Sequence, residues 1–505
     1  MSLVLVVDVG TTNIKAGVIN EKGEILSLSR KEIKIERPER GAAEHNPEML
    51  FKNFLSVVQK VVKNYQGDIS LLILSSYLFG FLPMDKDKVP LMGMMTLLDT
   101  RPNVIMNKLE NNEDIEEIYQ RTGCPPTFIY SLPKILWLKE KKPQIFRKAK
   151  WFLSSKDYLI YRLIGKLYTE PSVSSSTQLL NIHNLQWDEL ALSIAGIEEN
   201  KLPPIVPGEK ILTTLPKKTK DMLGLKGKVS LVPGVYDGGG VAIGIGGLGK
   251  NLGVSNLGTS AMLRVSSSLP LVDKRGKRRL QTCFLSSGKW LVGGAIINAG
   301  ITLKWFRNIL AKNNQKKDNY EEIISPAKKI KPGSDGLFFL PFLTGERDPR
   351  IGNKASGIFF GLKEYHTYGH LVRAILEGVA YTLKMTKEAL TDNQVPIREI
   401  RIGGGGSQSE FWIQIFSDIL NIPIRRSLVE ESALMGGAIL GYYALGEYKT
   451  IEQASQEMVK MGKLFYPDPQ NVKIYEEGFH FFSLLVEKMS KIYPIHAQLF
   501  SNLFS

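Results

Sequence analysis

Val7-Asp8-Val9-Gly10-Thr11-Thr12 near the N-terminus and Ser255-Asn256-Leu257-Gly258-Thr259-Ser260 at mid-chain are near copies of one another. Each ends an apolar strand and runs into a tight turn of glycine and hydroxyl residues. The chain has 505 residues, so each half opens with the same element. A turn of this kind lets backbone N–H groups and small hydroxyls converge on phosphate oxygens. Two such turns predict a nucleoside triphosphate held in a cleft between two halves. The copies differ where Asp8 is answered by Asn256, which suits a single magnesium ion served by a carboxylate from one side.

Working outward, the apolar run Leu3–Val9 predicts a central strand. The segments 15–19 and 24–29 flank Asn20-Glu21-Lys22-Gly23, a hairpin turn. Pro47 opens a helix, with Phe51, Leu55, Val58 and Val62 predicted on its buried face. Strand patterns recur at 69–74, 229–235, 252–257, 261–265 and 399–402, with a hairpin around Ser286-Ser287-Gly288. Helical patterns lie at 132–139, 157–163, 371–387 and 409–420. The serine-rich stretch 172–177 and the basic run Lys274-Arg275-Gly276-Lys277-Arg278-Arg279 both read as solvated loops. Strands alternate with helices in both halves, which predicts two α/β domains. Their expected extents are 1–245 and 246–505.

Length alone requires more than one core. The net charge is +15, from 65 basic and 50 acidic residues, but the excess is dispersed. The basic run has no interleaved aromatics, so no nucleic-acid partner is expected; a positive field suits anionic substrates such as ATP. No apolar stretch is long enough to span a membrane, and the start carries Asp8 within its apolar run, unlike a signal peptide. Cys124 and Cys283 make no disulfide framework, so a reducing cytoplasm is the expected compartment.

Three elements carry chemistry. In the first turn, Gly10 allows close backbone approach, Thr11 and Thr12 offer hydroxyls, and Asp8 is the candidate magnesium ligand. The loop Gly403-Gly404-Gly405-Gly406-Ser407 follows a strand and precedes a helix, where open α/β sheets bind ligands. Asp237 follows a strand and precedes three glycines near the domain boundary. A phosphoryl acceptor alcohol needs a carboxylate there to take its proton. Gly244–Asn251 misses a P-loop, since Asn251 stands where a Ser or Thr is needed. His366 and His370 have metal-helix spacing but no evident third ligand. Trp151, Trp290, Trp305 and Trp412 read as core.

These elements, in this order, resemble the FGGY carbohydrate kinases, ATP-dependent sugar and polyol kinases of the actin, hexokinase and Hsp70 superfamily. DVGTTNIKAG and NLGTS are similar to the family's two phosphate loops, GVYDGGGVAIG to the segment bearing its catalytic Asp, and PFLTGERDP to its ERxP segment. GIFFGLKEYHTYGHLVRAILE fits a family signature, and GGGGSQSEFWIQIFSDILNIPI resembles the adenosine-binding loop and helix. The resemblance implies two ribonuclease-H-like domains around an interdomain cleft. Several stretches, including TGCPPTFIYSLPKILWLKE and Gly238 directly after Asp237, lean toward the gluconokinase branch, with xylulokinase next.

The resemblance implies Asp237 as catalytic base and Asp8 as the magnesium site. It places phosphates on Gly10, Thr11, Thr12, Lys15, Gly258, Thr259 and Gly300, and adenine near Gly404, Gly405, Gly406 and Ser409. The sugar or sugar acid falls near Leu78, Phe79, Asp99 and Asp237. Leu78-Phe79 replaces the Met-His pair usual at the sugar site, and Thr96 replaces a tryptophan ahead of Asp99 and Arg101. The acceptor is therefore open among gluconate, a related acid, xylulose and other ketoses or polyols. A homodimer is open as well. An Hsp70-like or actin-like ATPase switch shares the two turns but has no need of the Asp237 and ERDP segments.

Overall fold

The unbroken apolar run Leu3–Val9 forms a strand, β1, buried at nearly every position. It is followed by β2 (Asn13–Ile19), β3 (Ile25–Glu32), helix α1 (Pro47–Asn64), β4 (Ile69–Ser76), β5 (Thr213–Thr214), β6 (Ser230–Tyr236) and helix α2 (Asp237–Gly244). These are elements of a computed structural model that describes residues 2–65, 67–310 and 320–501. The first sheet has the order β5-β6-β4-β1-β2-β3. β1 runs antiparallel to β2 and parallel to β4, with Asp8 opposite Lys15 on one side and Ser75 on the other.

The second half repeats the scheme. Its elements are β7 (Leu252–Leu257), β8 (Ala261–Ser267), β9 (Gln281–Ser286), β10 (Lys289–Ile296), α3 (Gly300–Leu310), α4 (Tyr368–Asp392), β11 (Glu399–Gly403), α5 (Glu410–Leu420), β12 (Ile424–Ser427), α6 (Ser432–Ala444), β13 (Met461–Phe465) and α7 (Pro469–Ser501). The sheet order is β9-β10-β8-β7-β11-β12-β13. Here β7 runs antiparallel to β8 and parallel to β11, with Asn256 opposite Met262 and Gly403. Three antiparallel strands beside two parallel ones thus occur twice, the ribonuclease-H-like arrangement, and both phosphate-type turns leave the C-terminal ends of their first strands.

α1 begins at the Asn46 cap, whose side chain accepts from the Met49 N–H at 3.1 Å, and Pro47 occupies the first turn. Its buried face is Leu50, Phe51, Phe54, Val57, Val58 and Val61. Leu55 and Val62, read from sequence as facing the core, lie half-buried at its edge. The apolar stripe is wider than a single i, i+4 row.

α2 and α6 join the halves. α6 belongs to the second half in sequence, yet Leu434, Ala438 and Ile439 share a core with Val4, Val6, Leu71 and Ile73 of the first sheet. The helices cross with their backbones touching. A Cβ added at Gly436 would stand 1.8 Å from the Gly240 carbonyl oxygen, so only glycine permits this approach.

The segment between β4 and β5 folds into several short helices around its own apolar cluster, which includes Phe81, Ile118, Leu132, Leu138 and Leu180. It also reaches across to the second half. Tyr119 Oη donates to the Leu280 carbonyl at 2.8 Å, and the Thr282 N–H donates to the Gly123 carbonyl at 3.0 Å.

Two loops differ from the sequence expectation. Ser172, Ser174, Ser175 and Ser176 are buried rather than solvated. Each hydroxyl has a partner: Ser172 with Glu170 and the Tyr236 N–H, Ser174 with Thr169, Ser175 with the Phe284 N–H, and Ser176 with Cys283. These hydrogen bonds, three of them to residues distant in the chain, offset the cost of burying small polar groups. In the basic run, Arg279 is buried against Asp273 (Nε to Oδ2 2.8 Å) and also pairs with Asp392 at 2.6 Å. One cation of the run is therefore a structural tie. Both cysteines are buried and free. Among the described residues no helix is long and apolar enough to cross a membrane.

Candidate active site

Asp8, near the end of β1, accepts a hydrogen bond from Ser75 Oγ at 2.9 Å. Burial raises its pKa above the usual carboxylate range, opposed by the Ser75 bond and by the Lys15 and Lys156 charges. Asp237 is the first residue of α2 and accepts from the Gly238 N–H at 2.7 Å. Its pKa is pushed up to about 7, first by burial and next by the negative charge of Asp8, while Lys156 and Arg264 pull it down. The two carboxylates, one near the end of β1 and one at the start of α2, thus act on each other electrostatically.

The Gly10–Thr12 turn is closed by the Gly10 N–H donating to the Asn13 carbonyl at 2.9 Å. His45 buttresses it from behind: Nε2 donates to the Thr11 carbonyl at 3.0 Å, and Nδ1 accepts from Tyr77 Oη at 2.9 Å. The carbonyl can only accept, which fixes the tautomer, and burial lowers the His45 pKa so that the ring stays neutral. Thr12 is exposed, and its hydroxyl accepts from Asn13 Nδ2 at 3.1 Å. Lys15 pairs with Glu431 at 2.6 Å. Glu431 directly precedes α6, so the first turn is tied to the second half of the chain.

The second turn is bound to the start of α3. The Gly300 N–H donates to the Gly258 carbonyl at 2.9 Å, and the Ala299 and Ile301 N–H groups both donate to the Thr259 carbonyl at 3.2 Å. The glycine loop folds onto the same turn. Gly404 has φ +88°, and a Cβ there would stand 2.6 Å from Asn256 Oδ1 and 2.7 Å from the Leu257 carbonyl oxygen. A side chain at this position would pry the loop from the turn. Gly258, Thr259, Gly300, Gly405, Gly406 and Ser409 all line one cavity of about 410 Å³, with Lys304 and Trp412 completing part of its wall. Ser409 also caps α5, its Oγ accepting from the Trp412 N–H at 3.3 Å. Trp412 is both core and wall: it is buried, and its indole donates to the Leu376 carbonyl at 3.3 Å.

Of the residues expected from sequence near the acceptor, Leu78 is buried in the core shared by the two halves. Phe79 has φ +70°, an unusual conformation for a bulky residue. The fully buried Lys134 holds it there, Nζ donating to the Phe79 carbonyl at 2.6 Å and to the Thr96 carbonyl at 3.2 Å. Burial lowers the Lys134 pKa to about 7. The Phe79 ring meets Tyr130 edge-on at 5.5 Å and carries the Arg347 guanidinium at 5.7 Å. Asp99 is fully buried. Its oxygens accept from Arg101 Nε (3.0 Å) and Nη2 (2.6 Å) and from the Ala43 N–H (3.1 Å). Arg101 also binds Glu39 and Glu44 and stacks on Trp137, so Asp99 serves to hold Arg101.

Two groups around Asp237, the Lys156–Glu170 pair and Arg264, carried no signal in the sequence. Lys156 and Glu170 form a fully buried ion pair at 2.8 Å. Glu170 accepts from Ser172 Oγ at 2.8 Å, and Ser172 Oγ accepts from the Tyr236 N–H at 3.0 Å, so the chain of bonds ends beside Asp237. Arg264 on β8 donates to Cys283 Sγ at 2.9 Å and Gln281 Oε1 at 2.7 Å. Glu346 accepts from the Ile297 N–H at 2.9 Å and the Arg347 N–H at 2.9 Å, linking the ERDP stretch to the residues before α3. His366 and His370 are not a metal pair: His370 caps α4 through Thr367 and bonds Asp335 at 3.0 Å. Among the described residues no cluster of three or more His, Cys, Asp or Glu could hold a metal. An ion completed by substrate phosphates needs only one or two carboxylates, and Asp8 with its raised pKa fits that limited role.

Residues 3–244 match the family model "FGGY family of carbohydrate kinases, N-terminal domain", and residues 253–445 match its C-terminal counterpart. The chain is 31% identical over 462 residues to the gluconokinase of Bacillus subtilis (strain 168), covering 90% of each. It superposes on the xylulose kinase of Lactobacillus acidophilus with a TM-score of 0.93 at 26% identity, covering 98% of this chain and 100% of that one. The gluconate kinase of Lactobacillus acidophilus gives 0.91 at 26% identity, with the same coverage. Twin phosphate-type turns, a carboxylate pair at one gap and matches along nearly the whole chain agree: this protein belongs to the FGGY family of carbohydrate kinases and is an ATP-dependent sugar kinase.

Proposed function

We propose that the protein phosphorylates gluconate, with Asp237 as the general base. The observation that carries the base assignment is the Asp237 pKa of about 7, set by burial and by Asp8. A base poised near neutrality removes a hydroxyl proton efficiently at physiological pH. Asp237 takes the proton of the acceptor hydroxyl as the hydroxyl oxygen attacks the γ-phosphorus of ATP, the bond from that phosphorus to the β-phosphate oxygen breaks, and ADP leaves. Gly10, Thr11, Thr12, Lys15, Gly258, Thr259 and Gly300 hold the phosphates from two sides, while Gly404, Gly405, Gly406 and Ser409 border the adenosine. Asp8 would hold magnesium, which when bound neutralises charge on the transferring group. Positioning and charge neutralisation supply most of the rate in such transfers. Approach of residues 1–245 and 246–505 as two bodies about α2 and α6 would exclude water.

Gluconate is favoured by the gluconokinase relatives, 31% and 30% identical over 90% and 94% of this chain. The Arg347 guanidinium, over the Phe79 ring at 5.7 Å, adds a cation beside the residues expected near the acceptor. The test is a coupled ADP-release assay over aldonates, ketoses and polyols. The expected result is the highest kcat/KM on gluconate. A preference for xylulose would replace the acceptor but keep the chemistry. ATP consumption without any added sugar would refute the kinase reading.

A further inference from the structure

Helix α7 (Pro469–Ser501) carries two apolar faces where one holds it in place. Tyr475, Phe479, Phe482, Val486 and Tyr493 are buried in the core of the second half, at the spacing of one helical face. A second set, Ile474, Phe481, Leu484, Ile492, Ile495 and Leu499, is exposed, from 37% at Phe481 to 61% at Leu499. With 3.6 residues per turn, these side chains fall within an arc of about 80° beside the buried face. The stripe is about 38 Å long and about 10 Å wide, roughly 400 Å², the scale at which an exposed apolar patch marks an interaction site. Phe360, 46% exposed, broadens its middle, with its ring centroid 5.7 Å from that of Phe481.

The charges within the stripe select its occupant. Glu477 and Lys488 fall in the same arc and both are exposed. Glu477 has no ion pair among the described residues, and Lys488 reaches only its neighbour Glu487, at 3.9 Å. Glu477 stands four residues before Phe481, and Lys488 four residues after Leu484. The stripe is therefore complementary to itself when reversed about a point between residues 482 and 483. A second copy laid antiparallel about that point sets Phe481 of each copy on Leu484 of the other and Glu477 on Lys488, twice. Ile474 and Ile492 then meet the aliphatic stems of Lys491 and Lys473, and Leu499 meets Tyr466, which is 66% exposed. Apolar anchors at the centre and charges outside them are the usual anatomy of an interface. A parallel pairing would set Glu477 against Glu477. A lipid surface would have to take up the Glu477 carboxylate within the apolar stripe.

We propose that the exposed stripe of α7 is a self-association surface, which pairs antiparallel with the same stripe of a second copy of this chain about a two-fold axis between residues 482 and 483. Such a contact is isologous and closes on itself, so it stops at a dimer. It is independent of which acceptor the enzyme phosphorylates.

The experiment is sedimentation velocity over a concentration series of the full chain, for the wild type, Leu484→Glu, Glu477→Lys, Lys488→Glu and the double reversal Glu477→Lys/Lys488→Glu. Circular dichroism of each variant checks that the fold is kept. The wild type should be a dimer. Leu484→Glu should raise the dimer Kd by about 100-fold or more, as loss of a central anchor does. Each single reversal sets like charges opposite one another at two symmetric places and should raise the Kd about tenfold. The double reversal restores opposite charges and should return the wild-type dimer, which no surface elsewhere on the molecule would do. A monomeric wild type overturns the inference, and cosedimentation of that monomer with phosphatidylcholine vesicles would assign the stripe to a membrane instead. A dimer that survives Leu484→Glu overturns it by placing the contact on another surface. A double reversal no better than its singles overturns the antiparallel pairing and the inference with it.

Discussion

Substituting Asp237→Asn should make the enzyme inactive and more stable at the same time. The activity arm follows from its role. Loss of a positioned base costs about 100- to 10,000-fold in kcat, and ATP binding in the cavity around Gly405 should be little changed. The stability arm follows from the environment. Asp237 is raised from 3.8 to about 7 in the folded state. The native protein therefore binds a proton that the unfolded chain has lost over this range, and stability falls as pH rises from about 4 to about 7. Below both values the group contributes nothing; above 7 its full penalty is present. Three pKa units correspond to roughly 4 kcal/mol. Because the carboxylate opens to the cleft, screening leaves about 1–3 kcal/mol. Asparagine has no such charge, so urea denaturation should show Asp237→Asn stabilised by that amount at pH 8 and unchanged at pH 4. A variant that retains turnover within tenfold of wild type, or one no more stable at pH 8 than at pH 4, would refute the buried-base argument.

The same electrostatics predicts opposite shifts for its two strongest neighbours. In wild type, kcat/KM should rise with pH through an apparent pKa near 7 and level off above it. Asp8→Asn removes a negative charge that raises the Asp237 pKa, so the limb should move to lower pH, alongside a weaker response to magnesium; a pH–rate profile with a magnesium titration checks both. Lys156→Met removes a positive charge and leaves Glu170 buried without its partner. The limb should move to higher pH, with about 3–5 kcal/mol lost in urea denaturation; an unmoved limb would detach Lys156 from the base. Gly404→Ala should weaken ATP binding more than acceptor binding, because the added carbon meets Asn256 Oδ1 at 2.6 Å; a KM for ATP equal to wild type would count against the loop's placement. Gly436→Ala drives a carbon to 1.8 Å from the Gly240 carbonyl and should cost several kcal/mol, since backbone on both sides must shift.

What the sequence made legible was local and repeated. The two strand–turn copies, the Asp237 turn and the glycine loop each announce a backbone shape through residues close together in the chain. The residues that tune the site were not legible for the opposite reason. Lys156, Glu170 and Ser172 lie in the long segment between β4 and β5, and a lysine or serine run carries no mark of burial until a partner elsewhere covers it. The serines at 172–176 look like any solvated turn; only contact with Phe284 and Cys283 of the second half makes them core. Arg347 was visible as part of a segment, but its place over the Phe79 ring depends on a loop from the other half of the chain. Asp99 could be picked out by its neighbour Arg101, yet the sequence held no hint that this pairing occupies its oxygens.

The asymmetry of the twin turns explains how one repeated fold yields two unlike sides. In the first half the register sets Asp8 beside Ser75, which donates to the carboxylate and aims it at the gap shared with Asp237. In the second half the same register sets Asn256 beside Gly403, and the chain then turns through Gly404, which has no side chain to keep the amide away. A carboxylate at that position would place negative charge against the phosphate-binding turn and the carbonyls of the glycine loop. An amide is neutral there. On the proposed function, the exchange of one oxygen for one nitrogen between equivalent positions separates a side for cation and proton from a side for nucleotide. Asn256→Asp should therefore raise the KM for ATP with little change in the pH limb set by Asp237. Steady-state kinetics across pH reads both, and a variant that shifts the limb while sparing the KM for ATP would show that the two sides are not separated in this way.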